Sequence, residues 1–158
     1  MEKDLNLAVA LKTKALLETQ PDMEVLMTRA EDEDVALDAR AALSNKKGAD
    51  LFVSIHANVL ENNPSFCGVL TFYHPDNPRS DALASAVQRG VVAQTGGTDL
   101  GVREEDFAVT RLSEAPACLL EMGFMTNAEE LANLGDEGYQ DKLAQGICDG
   151  ILDYLKRK

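Results

Sequence analysis

His56 is one of two histidines in the chain, and it follows the apolar run Leu51 to Ile55. Open α/β sheets bind ligands beyond the carboxyl ends of their strands. A histidine at such an end is a candidate to hold a metal or move a proton. Glu121 stands in the matching place behind "PACLL" (116–120). A glutamate straight after a buried strand is costly unless it is paired or bound. Glu2, in the first turn of the first predicted helix, is a third candidate. If all three converge on one edge of the sheet, histidine plus carboxylates is a ligand set suited to zinc, with a position left for water.

Each residue also has a plainer role. His56 alone fits a hydrogen-bonded histidine at a strand end. Glu121 alone could pair with Arg111 or Arg29, and Glu2 alone is an acid favoured by a helix N-terminus. Spacing does not choose between these roles. His74, before the proline turn in "FYHPDN", reads as a surface residue. Cys67, Cys118 and Cys148 form no CxxC pair and are odd in number, so they read as buried thiols rather than a disulfide framework or a zinc knuckle.

The elements that must position these side chains follow from periodicity. Leu5, Ala8, Leu11, Ala15 and Leu16 predict a helix over 3–19. "MEVLMTR" (23–29) predicts a short strand, and a helix is expected from Asp32 and Asp34 to Lys46-Lys47-Gly48. "DLFVSIHAN" and "GVLTFYH" (68–74) read as the next two strands. Ser80 is expected to cap a helix running to Gly96-Gly97, and "GGTDLGVREED" (96–106) reads as the longest loop, a candidate rim of a site. "FAVTRL" (107–112) is expected to be irregular, and "PACLLEMGF" (116–124) to be a strand buried on both faces. Asn127, with Glu130 three residues on, predicts a capping-box start for a helix, and Leu143, Ile147, Ile151 and Leu155 place a last helix over 139–157. Strands alternating with helices over short connections predict a single α/β domain: a mostly parallel twisted sheet flanked by helices on both faces.

Composition narrows the function. A net charge of −12 argues against nucleic acid as a partner. No apolar run approaches the ~18 residues of a membrane span. "MEKDLNLAVA" is acidic and amphipathic, unlike a signal peptide.

The order of the segments is more telling than any one residue. "EKDLNLAVALKTKALLE", "VLMTRAEDEDVALDARAALSN", "ADLFVSIHAN", "FAVTRLSEAPACLLEMGFMTNAEE" and "YQDKLAQGICDGILDYL" occur in that order from residue 2 to about 156. Taken together, the chain resembles the zinc-dependent N-acetylmuramoyl-L-alanine amidases of the family called amidase type 3. The resemblance implies a bacterial cell-wall hydrolase that cuts the amide between N-acetylmuramic acid and L-alanine in peptidoglycan. It implies zinc as cofactor, Glu2 and His56 as metal ligands and Glu121 as the catalytic residue. It also implies a place outside the cell, in the wall or the periplasm. The chain departs from the family in one respect. The family opens with a strand and a Gly-His-Gly type turn, whose histidine is the first zinc ligand, and this chain starts after it. Residues 1–158 are therefore expected to form an amidase type 3 catalytic domain that is incomplete at its N-terminus. The rival reading is an inactive amidase-fold domain that binds cell wall or a partner. One further expectation concerns "HPDNPRS" (74–80), which is too short to hold a helix and fold back over the site.

Overall fold

The structure, a computed structural model, describes residues 1–156. Six helices and four strands follow the order α1 (Glu2–Leu17), α2 (Leu37–Lys47), β1 (Phe52–Asn58), β2 (Val69–Tyr73), α3 (Ser80–Thr95), β3 (Asp99–Glu104), α4 (Ala108–Arg111), β4 (Ala117–Phe124), α5 (Ala128–Gly135) and α6 (Glu137–Lys156). Residue 157, the expected end of the last helix, lies outside the described residues.

The sheet order is β1-β4-β2-β3. β1 runs parallel to β4 and β2 parallel to β3, while β2 runs antiparallel to β4. β4 is central, and its unbroken apolar run is explained by burial at every residue. Cys118, Leu120 and Met122 join the main core with Val9 of α1, Leu83 and Val87 of α3, and Ile147 of α6. By the alternation of a strand, Leu119 and Glu121 point to the opposite face. That face carries the chemistry.

α3 and α6 pack closely along glycines. A Cβ on Gly146 would stand 2.6 Å from Val91 Cα, and one on Gly150 would stand 2.6 Å from Val87 Cα. Neither position has room for a side chain.

Several expectations need correction. Residues 23–29 form no strand; among the described residues no backbone hydrogen bond ties 21–30 to a neighbour, so this segment has no ladder. α2 starts at Leu37 rather than in the acidic run. Val35 O, which a longer helix would offer to Ala39 N–H, accepts from Arg40 Nε at 3.0 Å instead. Ser80 does not cap α3: it is the first helical residue, and its hydroxyl accepts from Ala117 N–H at 3.0 Å. The expected loop 96–106 contains β3, which lies at the far edge of the sheet from β1 and forms no rim of the site. Residues 108–111 are a helical turn rather than irregular. Asn127 does cap α5, accepting from the N–H groups of Glu129 at 3.0 Å and Glu130 at 3.1 Å.

Candidate active site

Register brings the site together. His56 on β1 pairs with Glu121 on β4, and Glu121 pairs with Leu70 on β2. Both candidate residues lie inside their strands rather than behind them, since β1 continues to Asn58 and β4 to Phe124. A register irregularity follows between His56 and Asn58, where β1 leaves the regular ladder. Glu2 arrives from the first turn of α1. Its Oε1 lies 3.1 Å from His56 Nδ1.

Two residues missed in the sequence complete this cluster. Ser54 Oγ is 3.0 Å from His56 Nε2, and Asn6 Nδ2 donates to Glu2 Oε1 at 3.1 Å. Both were findable: Ser54 shares a strand face with His56 two residues on, and Asn6 lies one helical turn after Glu2. Asn6 Oδ1 is buried and has no hydrogen-bond partner.

The two carboxyls are driven in opposite directions. Burial works to raise the Glu2 pKa, but hydrogen bonds from Asn6, His56 and the Ala57 N–H outweigh it, and the net shift is downward. Glu121 is only 9% exposed. Its burial, with the nearby charge of Glu2, pushes its pKa up to about 8. Its Oε2 is buried without a hydrogen-bond partner. Neither arginine considered for it is engaged with it: Arg111 pairs with Asp106, and Arg29 donates to the carbonyls of Lys3 and Glu31. The site thus holds an ionised carboxylate on a histidine beside a carboxyl that keeps its proton at neutral pH. Paired groups with separated pKa values are the pattern of acid–base chemistry.

The spacing of the His56–Glu2 pair bears on a metal. Zinc sits about 2.0–2.1 Å from nitrogen and 2.0–2.2 Å from oxygen, so two tetrahedral ligands on one ion lie about 3.3 Å apart. The observed 3.1 Å is close to that separation. Ser54 can accept the Nε2 proton and leave Nδ1 free to ligate, as outer partners of metal histidines do. The pair therefore fits two ligands of a zinc site. Among the described residues, no group of three or more His, Cys, Asp or Glu side chains could hold a metal ion.

Glu130 was foreseen only as part of a helix start. Its side chain does not reach back to the cap. It accepts from Gly68 N–H at 2.9 Å and Phe124 N–H at 2.6 Å, joining the start of β2 to the end of β4. His74 is placed at the opposite end of the sheet, because β2 runs against β4. It is mostly buried rather than a surface residue, between Asp76 and Asp106. The turn 74–80 stands there too, along a second cavity of about 380 Å³ lined by neither Glu2, His56 nor Glu121.

The fold is an α/β domain with a candidate acid–base site at the β1–β4 edge, and comparison with known proteins gives its class, the peptidoglycan amidases. The sequence profile of the N-acetylmuramoyl-L-alanine amidases matches residues 1–153, and the chain belongs to this family. It is 38% identical over 155 residues to YqiI, an uncharacterized protein of Bacillus subtilis, covering 97% of this chain and 74% of that one. It is 34% identical over 158 residues to the Bacillus subtilis N-acetylmuramoyl-L-alanine amidase LytC, covering 99% of this chain but only 32% of LytC. The crystal structure of an N-acetylmuramoyl-L-alanine amidase from Clostridium difficile 630 superposes with a TM-score of 0.96 at 40% identity, over 99% of this chain and 85% of that one.

Proposed function

We propose that this chain hydrolyses the amide between the lactyl group of N-acetylmuramic acid and L-alanine in peptidoglycan. In this reading Glu2 and His56 would supply two of the ligands of a zinc ion, and Glu121 is the acid–base residue. The observation that carries it is the buried Glu121 carboxyl, with one oxygen unpartnered, in register with a His56–Glu2 pair spaced for one ion.

Zinc, when bound, supplies Lewis-acid polarisation of the amide carbonyl and of a water. Glu2 binds as the ionised carboxylate its lowered pKa favours. His56 binds as the neutral ring, with Ser54 holding the second nitrogen. Glu121 takes a proton from the attacking water and delivers it to the leaving amine. A pKa of about 8 suits delivery at neutral pH. Acceptance needs the ionised form, which a positive charge beside Glu2 would favour. Such acid–base help is worth about a hundredfold to ten-thousandfold. The cell wall or the extracellular space is where this substrate lies, and a probable cell wall amidase LytH of Staphylococcus epidermidis is among the relatives, 33% identical.

The test is to incubate purified peptidoglycan with the protein, with zinc and with a chelator, and to measure new L-alanine amino groups. Zinc binding is followed separately by calorimetry. Amino groups that appear only with zinc support the reading. Equal release under both conditions refutes the zinc assignment. Wall binding without release refutes hydrolysis and supports the rival, a non-catalytic amidase-fold domain.

A further inference from the structure

β4 leaves its regular ladders just after Glu121. On the β2 side the rungs run from Tyr73–Cys118 to Leu70–Glu121, so Glu121 stands on the last rung. On the β1 side the pairing passes from His56–Glu121 to Asn58–Phe124, so β1 advances by two residues while β4 advances by three. The extra residue is a bulge in β4, an irregularity of the kind that re-aims a neighbouring side chain. Glu121 therefore has regular backbone pairing behind it and a different arrangement beyond it.

What ties β4 to β2 beyond Glu121 is a side chain. Val69 N–H donates to Thr98 O at 2.8 Å, toward β3, so by alternation Gly68 N–H faces β4. Met125 N–H donates to Asn58 O at 2.8 Å, toward β1, so Phe124 N–H faces β2. Two donors thus look into one gap, and donors cannot pair with each other. The Glu130 carboxylate stands between them, Oε1 accepting from Gly68 at 2.9 Å and Oε2 from Phe124 at 2.6 Å. It replaces the next rung with a bridge one carboxylate wide. Hydrogen bonds to an ionised acceptor are roughly twice as strong as neutral ones.

The bridge is itself fixed in place. Glu130 N–H donates to Asn127 Oδ1 at 3.1 Å, and Asn127 N–H donates to Phe124 O at 2.9 Å. Phe124 is thus held by both its N–H and its C=O from the start of α5. Both strand ends are glycine where the carboxylate docks. Gly68 has a φ of +129°, and a Cβ there would stand 2.7 Å from Thr98 O. A Cβ on Gly123 would stand 3.2 Å from Glu130 Cδ.

We infer that Glu130 is a positioning residue for Glu121. Its carboxylate sets the gap between β2 and β4, and with it the place of the Glu121 carboxyl beside His56. The inference rests on the acid–base role proposed above for Glu121. Glu130 acts through the backbone of β4 rather than on the reacting atoms. Catalytic geometry must hold within about 0.5 Å, and a misplacement of about 1 Å can cost about a hundredfold in rate. Glutamine keeps the shape of Glu130, but its amide turns a donor toward one of the two N–H groups, so one strand end is released.

The test compares the parent with Glu130→Gln and with Gly146→Ala, a destabilised control at the α3–α6 seam. Crystal structures of the parent and Glu130→Gln report where the Glu121 carboxyl lies relative to the His56 ring. Assays on peptidoglycan fragments, with zinc, report kcat and KM separately. In Glu130→Gln the carboxyl should move by more than about 0.5 Å, and kcat should fall about tenfold to a hundredfold with KM unchanged. Gly146→Ala should keep the kcat of the parent. A Glu121 carboxyl that stays within about 0.5 Å of its parent position overturns the inference, whatever the rates do. So does an unchanged kcat, a loss confined to KM, or an equal fall in Gly146→Ala, which marks lost stability alone. If Glu130→Gln does not fold, Glu130→Asp is read in the same way, since it keeps the charge but is too short to bridge both strand ends. A parent that releases no L-alanine amino groups sinks the proposed function alone; the displacement of Glu121 still decides whether Glu130 places it.

Discussion

Replacing Glu121 with glutamine separates the price of burying this carboxyl from its chemistry. The folded pKa is raised from 4.5 to about 8 by burial and by the charge of Glu2. A raised pKa means that the folded state holds its proton more tightly than the unfolded chain. Stability from this group is therefore full below pH about 4.5 and is lost progressively as pH rises toward 8. Integrated to pH 7, the loss amounts to about 3 kcal/mol. Glutamine does not titrate, so Glu121→Gln escapes it. Any fixed cost of the buried amide is the same at every pH and drops out of the comparison. Urea unfolding of parent and variant, both in chelator, should show the variant gaining about 2–3 kcal/mol on the parent between about pH 5 and pH 7. Other titrating groups are common to both proteins and cancel. A difference that stays flat over that range would refute the burial argument, whatever the variant does to activity. In the hydrolysis assay with zinc, the same variant should lose at least about a hundredfold in rate. A variant keeping more than about a tenth of the rate removes Glu121 from the acid–base role.

Other substitutions test other parts. Gly146→Ala pushes a methyl against Val91 at the α3–α6 seam; it should cost about 1–3 kcal/mol in urea unfolding, although alanine is the better helix former. Asn127→Ala removes both side-chain bonds at the start of α5 and should cost about 1 kcal/mol by the same measurement. Ser54→Ala frees His56 Nε2; zinc affinity by calorimetry should fall about tenfold to a hundredfold while unfolding changes little.

Strong periodicity made much of the fold legible. The run in β4 and the four-residue apolar spacing in α6 dictate their own burial, so those elements stand where the pattern placed them. Residues 23–29 carry an equally good strand pattern, yet strand formation also needs a neighbour, and pattern alone does not show one. β3 failed in the other direction: Gly101 and the charges of Arg103 and Glu104 mask its alternation, because it sits at an exposed edge. His56, Glu121 and Glu2 were each found as polar residues on apolar elements. Their convergence was not derivable from spacing; it needed the resemblance, and register between β1 and β4 then brought two of them side by side. Ser54 and Glu130 were overlooked because one reads as an ordinary strand serine and the other as a cap.

The carboxylate of Glu130 joins the start of β2 to the end of β4. Besides that link, Leu60 N–H donates to Thr126 Oγ1, Met125 N–H to Asn58 O, and Phe66 stacks edge-on against Phe124. The segment between β1 and β2 is thus fastened along its length to the turn after β4, a few residues from Glu121. A rim held this way is a template rather than a jaw, and adaptation falls to the polymer that meets it. In the proposed reaction the ordering cost of binding would then fall on the peptidoglycan rather than on this rim.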